Sequence, residues 1–261
     1  MSTPPKPPLS TYRIPTTWSI SRLHVYDKCP QAYYLKHIVK WPIPTETLER
    51  LQKYADRGSM IHLGAEDFIQ GVREDVISEL KAFTPHLEAI RAKFEKGQAV
   101  VEQEWGFTAN WEPCSWDSPE LWLRMKLDVS LELGPGHGYV GDWKSGKKFG
   151  NEVKHSEQLA LYGHAKFCRD SKLTDVEAEL LYTDQEEITQ ISYSRTKAKI
   201  IAISIANRAV IMLNDRTFRP HANIYSCQWC DYRREADGGA GGCDHAISTS
   251  VIPPKFIIKK K

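Results

Sequence analysis

The chain has 261 residues, 41% of them hydrophobic and 26% charged, with a formal net charge of +2. That length suits one large domain or two small ones with ample core, and the near-neutral balance excludes a global basic field, so any nucleic-acid contact must rest on a local patch. No apolar run reaches membrane-spanning length and the Pro-rich polar start does not read as a signal peptide, which points to an intracellular, cytoplasmic chain whose six cysteines are thiols or metal ligands rather than disulfides.

Met1 to Leu9 carries Pro4, Pro5, Pro7 and Pro8 and reads as a disordered or extended tail. Thr11 to Ile20 suits a short strand, and Ser19 or Ser21 is placed to cap a helix over Ser21 to Val39. Pro30 inside it either starts a fresh turn or kinks it. After a loop at Pro42 and Pro44, Glu46 to Gly71 reads as one long helix or as two joined near Gly58. Further helices are expected over Val76 to Phe83 and Pro85 to Lys96, the second with its proline in the first turn.

Val100 to Ala109 alternates as a strand, with Glu102 and Glu104 on one face and Trp105 and Phe107 on the other. An irregular loop follows over Trp111 to Pro119. A helix is expected over Ser156 to Cys168, capped by Ser156. Strands follow at Val176 to Tyr182 and Ile188 to Tyr193, and a helix at Thr196 to Leu213. From Asn214 the chain is loop-rich, and it ends in a basic run. No internal repeat is visible.

The informative stretch is Trp122 to Lys148. Leu123, Met125 and Leu127 alternate with Arg124, Lys126 and Asp128, and Gly134 to Gly138 is a turn signal. Tyr139 and Val140 restart a strand that reaches Asp142-Trp143-Lys144. Asp142 and Lys144 are two apart and so share a face. With the turn centred near Pro135 or Gly136, Asp128 lies opposite Asp142 or Lys144, about 5 Å across an antiparallel pair. Two acids that close repel unless a cation sits between them, and oxygen donors of this kind suit Mg²⁺ or Mn²⁺. The lysine can offset charge on a phosphate or hold an attacking water. By itself Asp-x-Lys is also the pattern of a surface ion pair, which contributes little.

Asp128 followed by Asp142-Trp143-Lys144-Ser145-Gly146-Lys147 resembles the core motif of the PD-(D/E)XK nuclease superfamily, and most of all its RecB-like exonuclease branch, with Ser145 in place of the usual threonine. The resemblance implies an α/β fold: a small mixed central sheet flanked by helices, carrying Asp128, Asp142 and Lys144. It implies a phosphodiester hydrolase acting on DNA, an exonuclease with endonuclease activity left open. Asp128 and Asp142 would hold Mg²⁺ or Mn²⁺ with His62, from the run Arg57-Gly58-Ser59-Met60-Ile61-His62, and with the backbone carbonyl of Trp143. Lys144 would serve the water. Glu104 would assist a second metal, with Glu102 on the same face as its rival. Gln158 and Tyr162, at the spacing of the branch's Q-x-x-x-Y motif, would touch the DNA backbone or support the lysine. Lys144, Lys147, Lys148 and Lys154 form a basic cluster suited to phosphate.

The cysteines form a second constellation. Cys227-Gln228-Trp229-Cys230, then Cys243, with Cys29 far upstream in Cys29-Pro30, resemble the iron–sulfur staple of AddB and of CRISPR-associated RecB-like exonucleases. That likeness implies a 4Fe–4S cluster on four thiolates. The interval from Cys230 to Cys243 is longer than the family leads one to expect, so a zinc site of Cys227, Cys230, Cys243 and His245 stands as the alternative. Cys114 and Cys168 read as structural.

The domain expectation is a tail at 1–10, a nuclease domain at 11–215, a cysteine-rich segment at 216–245 packing back on the N-terminal helix, and a basic tail at 246–261. The partner is DNA, single-stranded or at duplex ends, with recombination or processing proteins beside it and no membrane. Two other functional classes stay open: a non-catalytic DNA-binding scaffold, and a zinc-stabilised partner-binding module.

Overall fold

The computed structural model describes residues 11–146 and 148–248. The helices are α1 (Ile20–Lys28), α2 (Pro30–Tyr33), α3 (Thr45–Ile69), α4 (Thr84–Phe94), α5 (Glu152–Arg169), α6 (Arg195–Asn214) and α7 (Ile224–Cys227). The strands are β1 (Ala99–Phe107), β2 (Pro113–Cys114), β3 (Leu123–Gly134), β4 (His137–Lys144), β5 (Asp175–Tyr182) and β6 (Glu187–Ser194). The chain divides into two compact units, one spanning Lys53–Arg208 and the other made of the flanks up to Gln52 and from Ala209.

The central unit is α/β. Its six-stranded mixed sheet has the order β2-β1-β3-β4-β5-β6. Every neighbouring pair is antiparallel except β4 and β5, which run parallel. A parallel pair needs a crossover, and α5 supplies it. The β3–β4 hairpin turns at Pro135-Gly136, where Gly136 takes a φ of +79° that few other residues tolerate. On one face of the sheet, Ile61 and Phe68 of α3, Leu80 and Phe83 of a 3₁₀ turn, and Leu87 and Ile90 of α4 pack with Val129, Leu131, Trp143 and Leu181.

In the flanking unit, Ser19 caps α1 by accepting the Arg22 N–H at 3.4 Å. Cys29 then adopts extended backbone, and Pro30 begins α2, so the expected single helix over Ser21 to Val39 is broken at that point. Pro30 cannot donate the hydrogen bond a continuing helix requires. The chain leaves through a π-helical turn, Tyr34–Val39, with Lys40 in the left-handed region. Tyr26 donates to Asp215 Oδ2 at 2.8 Å and the Trp41 indole donates to the Ala240 carbonyl at 3.1 Å, tying the N-terminal helices to the C-terminal loops.

Other expectations shift locally. The strand expected over Thr11 to Ile20 is reduced to an isolated bridge at Trp18. α3 runs unbroken through Gly58. The helix expected over Val76 to Phe83 is the 3₁₀ turn Ser78–Phe83. α5 begins at Glu152 with Asn151 at its cap position, so Ser156 lies one turn inside it. The proline-rich tail and the basic C-terminal run lie outside the described residues, as does Lys147.

Candidate active site

The β3–β4 register sets the site. Val129 faces Gly141, so the next residues of the two strands, Asp128 and Asp142, bring their carboxylates together on one face. Both are buried. Asp128 Oδ2 accepts the Trp143 backbone N–H at 2.6 Å, which locks the acid to the neighbouring strand. Trp143 itself is buried in the core of the opposite face. Burial, with the Asp142 charge beside it, raises the Asp128 carboxyl above the ordinary range, while His62 opposes the shift.

β1 adds a third acid. Val101 pairs with Val129 and Gln103 with Leu127, which leaves Glu102 facing Asp128. Glu102 has a φ of +47°, an uncommon backbone state for a non-glycine residue inside a strand and a local strain of the kind that gathers at functional sites. Its Oε1 lies 3.5 Å from His62 Nδ1 and is buried without a hydrogen-bond partner among the described residues. From α3, His62 Nδ1 stands 3.1 Å from Asp128 Oδ1. Burial works against the imidazolium, but Asp128 and Glu102 outweigh it and bring His62 up to about 10.

A second layer comes from α5. Lys144 Nζ forms an ion pair with Asp142 Oδ2 and donates to Gln158 Oε1 at 2.9 Å. Gln158 Nε2 in turn donates to Asp142 Oδ1 at 3.0 Å and to Tyr162 Oη at 2.6 Å. Tyr162 Oη donates to the Lys126 carbonyl at 2.6 Å. Burial, reinforced by the two aspartates, pushes its phenol well above the ordinary range, so it stays a neutral donor. Gln158 and Tyr162, one helical turn apart, thus brace the lysine and Asp142 from behind. Tyr162 is 3% exposed and presents no free face to a strand of DNA.

The glutamate at the cluster is Glu102 and not Glu104. Glu104 faces Lys126 across the β1–β3 ladder and pairs with its ammonium at 2.7 Å, out in solvent. A signal for this was in the sequence: whichever register places Glu102 opposite Asp128 also places Glu104 opposite Lys126. Arg57, five residues before His62 on α3, has a role of its own. It donates to the Ser145 carbonyl at 2.8 Å and to Asp184 Oδ1 at 2.5 Å, pinning α3 to the chain leaving β4. Lys148 is paired with Glu187 and stacks on Tyr182.

Among the described residues, His62, Glu102 and Asp128 offer three ligand atoms within 4.8 Å of one another. His62 and Glu102 open on a cleft of about 480 Å³ that Gly58, Leu63 and Glu66 also line. A hard divalent cation fits this donor set: the oxygens are anionic, and Glu102 Oε1 has no donor of its own.

All six cysteines are free thiols, and four of them, Cys29, Cys227, Cys230 and Cys243, lie in the flanking unit. Cys29, at the α1–α2 junction, accepts the His221 N–H on its Sγ at 3.4 Å. Burial raises the Cys230 thiol, and the nearby Cys243 and Cys29 add to the rise. Cys227 is buried at the end of α7 and His245 is exposed.

A mixed sheet whose adjacent strands present two aspartates and a lysine, with a histidine and a glutamate completing a metal-sized cluster, defines a metal-dependent nuclease site. The chain belongs to the PD-(D/E)XK nuclease superfamily, whose family model matches residues 17–234. No curated protein matches it. Among solved structures it is similar to one titled "Crystal structure of SSO0001", at 15% identity and a TM-score of 0.43, covering 90% of this chain and 89% of that one, too loose a likeness to argue from. No helix among the described residues is long and apolar enough to cross a membrane.

Proposed function

We propose that this protein is a RecB-like DNA exonuclease acting on single-stranded or end-exposed DNA in recombination, repair or DNA processing within the cell. The observation that carries the reading is the convergence of His62, Glu102 and Asp128 beside the Asp142–Lys144 pair. His62, Glu102, Asp128 and Asp142 hold one or two Mg²⁺ or Mn²⁺ ions, with the Trp143 carbonyl as a further ligand. When bound, such an ion polarises the phosphoryl oxygen and makes water a competent nucleophile at neutral pH. Lys144 orients that water and offsets charge building on the phosphate. Gln158 fixes the ammonium's direction, and Tyr162 fixes Gln158. Glu104, tied to Lys126, is left to the surface.

Cys29, Cys227, Cys230 and Cys243 hold a 4Fe–4S cluster in this reading. Support comes from Cys230, whose thiol is pushed up by burial and then by the neighbouring Cys243 and Cys29 of the same unit. Anaerobic purification should give a brown protein with iron, sulfide and a broad absorbance at about 400 nm. Colourless protein with stoichiometric zinc would replace the cluster with a zinc site.

The activity test is digestion of end-labelled linear and of circular single-stranded DNA with Mn²⁺ and with Mg²⁺. Wild type should degrade the linear strand, while Lys144→Ala and Asp128→Ala should each lose roughly 10²-fold or more. Cutting of circles would add endonuclease activity. Wild-type protein that cuts nothing with its cysteine-bound metal intact, or variants as active as wild type, would leave a DNA-binding scaffold instead.

A further inference from the structure

We infer that Phe149 is a stacking platform for an unpaired base, so that the nuclease selects single-stranded DNA over intact duplex at its entrance. The inference rests on the nuclease reading for the identity of the occupant. Its own evidence is the way the chain presents this ring. Phe149 is 79% exposed, the highest value among the large aromatic residues described. It does not sit on a loose loop. The Asn151 N–H donates to the Lys148 carbonyl at 3.1 Å, closing a four-residue turn with Phe149 at its first corner. Gly150 at the second corner has a φ of +84°, the left-handed state a type II turn requires there. The Gly150 N–H donates to Glu152 Oε2 at 2.7 Å, and Lys148 is anchored to Glu187. The fold therefore holds an apolar ring out in water on a fastened corner.

The position supplies the occupant. The corner lies five residues beyond Lys144, and Arg57 fixes the start of this connection by holding the Ser145 carbonyl. Tyr54, 70% exposed, stands one turn before Arg57 on the same helix. Five residues of chain keep this corner within about 17 Å of Lys144, the reach of a few nucleotides on either side of a phosphate held at that lysine. A base-paired duplex has no free base face along its length, whereas every base of a single strand offers one, and aromatic–base stacking tolerates any sequence.

The test uses the full-length protein with Ca²⁺ in place of Mg²⁺ and fluorescence anisotropy on three probes: short oligo(dT), an abasic strand with the same phosphates, and blunt duplex. Phe149→Ala should weaken oligo(dT) binding about tenfold and leave the abasic strand within about twofold of wild type. Phe149→Tyr should restore oligo(dT) binding, and the exposure of the site predicts unchanged melting for both variants. Unchanged oligo(dT) affinity in Phe149→Ala, an equal loss on the abasic strand, or a wild type that binds no single strand would each overturn the inference. Phe149-dependent binding by a wild type that never cuts would uphold it while removing the nuclease reading.

Discussion

Strand β4 carries a buried polar network on each face, and the two are built to opposite ends. Facing α4, Glu179 Oε2 accepts Tyr139 Oη at 2.9 Å and lies 3.1 Å from His86 Nε2, which is itself 3.1 Å from the same hydroxyl. One carboxylate meets two donors. On the other face, Glu102, Asp128 and Asp142 share Lys144 and His62, and Glu102 Oε1 is left without a donor. Both networks combine acid, histidine and tyrosine. The first is closed, as buried polar groups in a folded core are. The second carries surplus negative charge, a cost that a bound cation would offset. Residue type does not separate structural from functional clusters here; the balance of donors and acceptors does.

Neutralising one acid on each face breaks the comparison most directly. Asp128→Asn keeps an oxygen for the Trp143 N–H but removes a charge that Asp142 opposes. Cleavage should fall about 10²- to 10³-fold, while chemical denaturation of the metal-free protein shows stability equal to or above wild type. Glu179→Gln should behave in reverse, losing about 1–3 kcal/mol of stability through an unmet buried donor and retaining the chemistry. A metal-free Asp128→Asn protein destabilised as much as Glu179→Gln would show that the cleft acids are structural too.

Metal addition sharpens the same contrast. At about 100 times its dissociation constant, Mn²⁺ should stabilise wild type by roughly 2.7 kcal/mol, read as a rise in melting temperature. Glu102→Gln should blunt that rise, and Glu104→Gln, whose carboxylate is already paired with Lys126, should keep it. The opposite ranking would return Glu104 to the site.

That pair also marks the limit of what the sequence discloses. Asp128, Asp142, Lys144, Gln158 and Tyr162 were legible because alternation, turn position and helical spacing are local properties that survive folding. The mixed sheet followed from strands interrupted by a helix of crossover length. Glu102 and Glu104 have the same parity, so periodicity could not choose; the choice is made by a left-handed backbone at Glu102 and by the charge opposite Glu104. The break at Cys29 was half-legible through Pro30. The π-helical turn after it, and the Arg57 grip on Ser145, depend on tertiary contacts with no local signature. The closed network around Glu179 has no local signature, because its three members lie on α4, β4 and β5.

The closed face depends on a missing side chain. A Cβ at Gly141 would come within 2.7 Å of both Tyr139 Oη and Val129 Cγ1. Gly141→Ala should therefore cost about 1–3 kcal/mol by overpacking, measured by urea denaturation. Tyr139 would have to move, so its hydrogen bond to Glu179 would fail first. Adding Glu179→Gln to Gly141→Ala should then cost less than the two changes separately, since both disrupt one network. Full additivity would mean the added methyl is absorbed elsewhere.

The smallest effect concerns a buried histidine outside both networks. His164 of α5 meets the edge of Trp111, with ring centroids 4.5 Å apart, and lies 3.6 Å from Cys168 Sγ. Its Nδ1 is buried without a hydrogen-bond partner among the described residues. Burial first, then the charges of Lys199 and Arg195, lower its pKa from 6.5 to about 4. The unfolded chain therefore takes up this proton before the folded one does. The contribution is fully present above pH 6.5 and is lost as pH falls from there through about 4. His164→Leu should flatten that part of the stability profile while leaving the neutral-pH value little changed, because leucine fills a similar volume and carries no orphaned nitrogen. Carboxylates protonating over the lower part of the same window affect both proteins alike, so the difference between the two urea midpoints isolates the histidine. A difference that stays constant from pH 7 to pH 4 would mean His164 takes up its proton as readily in the folded protein as in the unfolded chain.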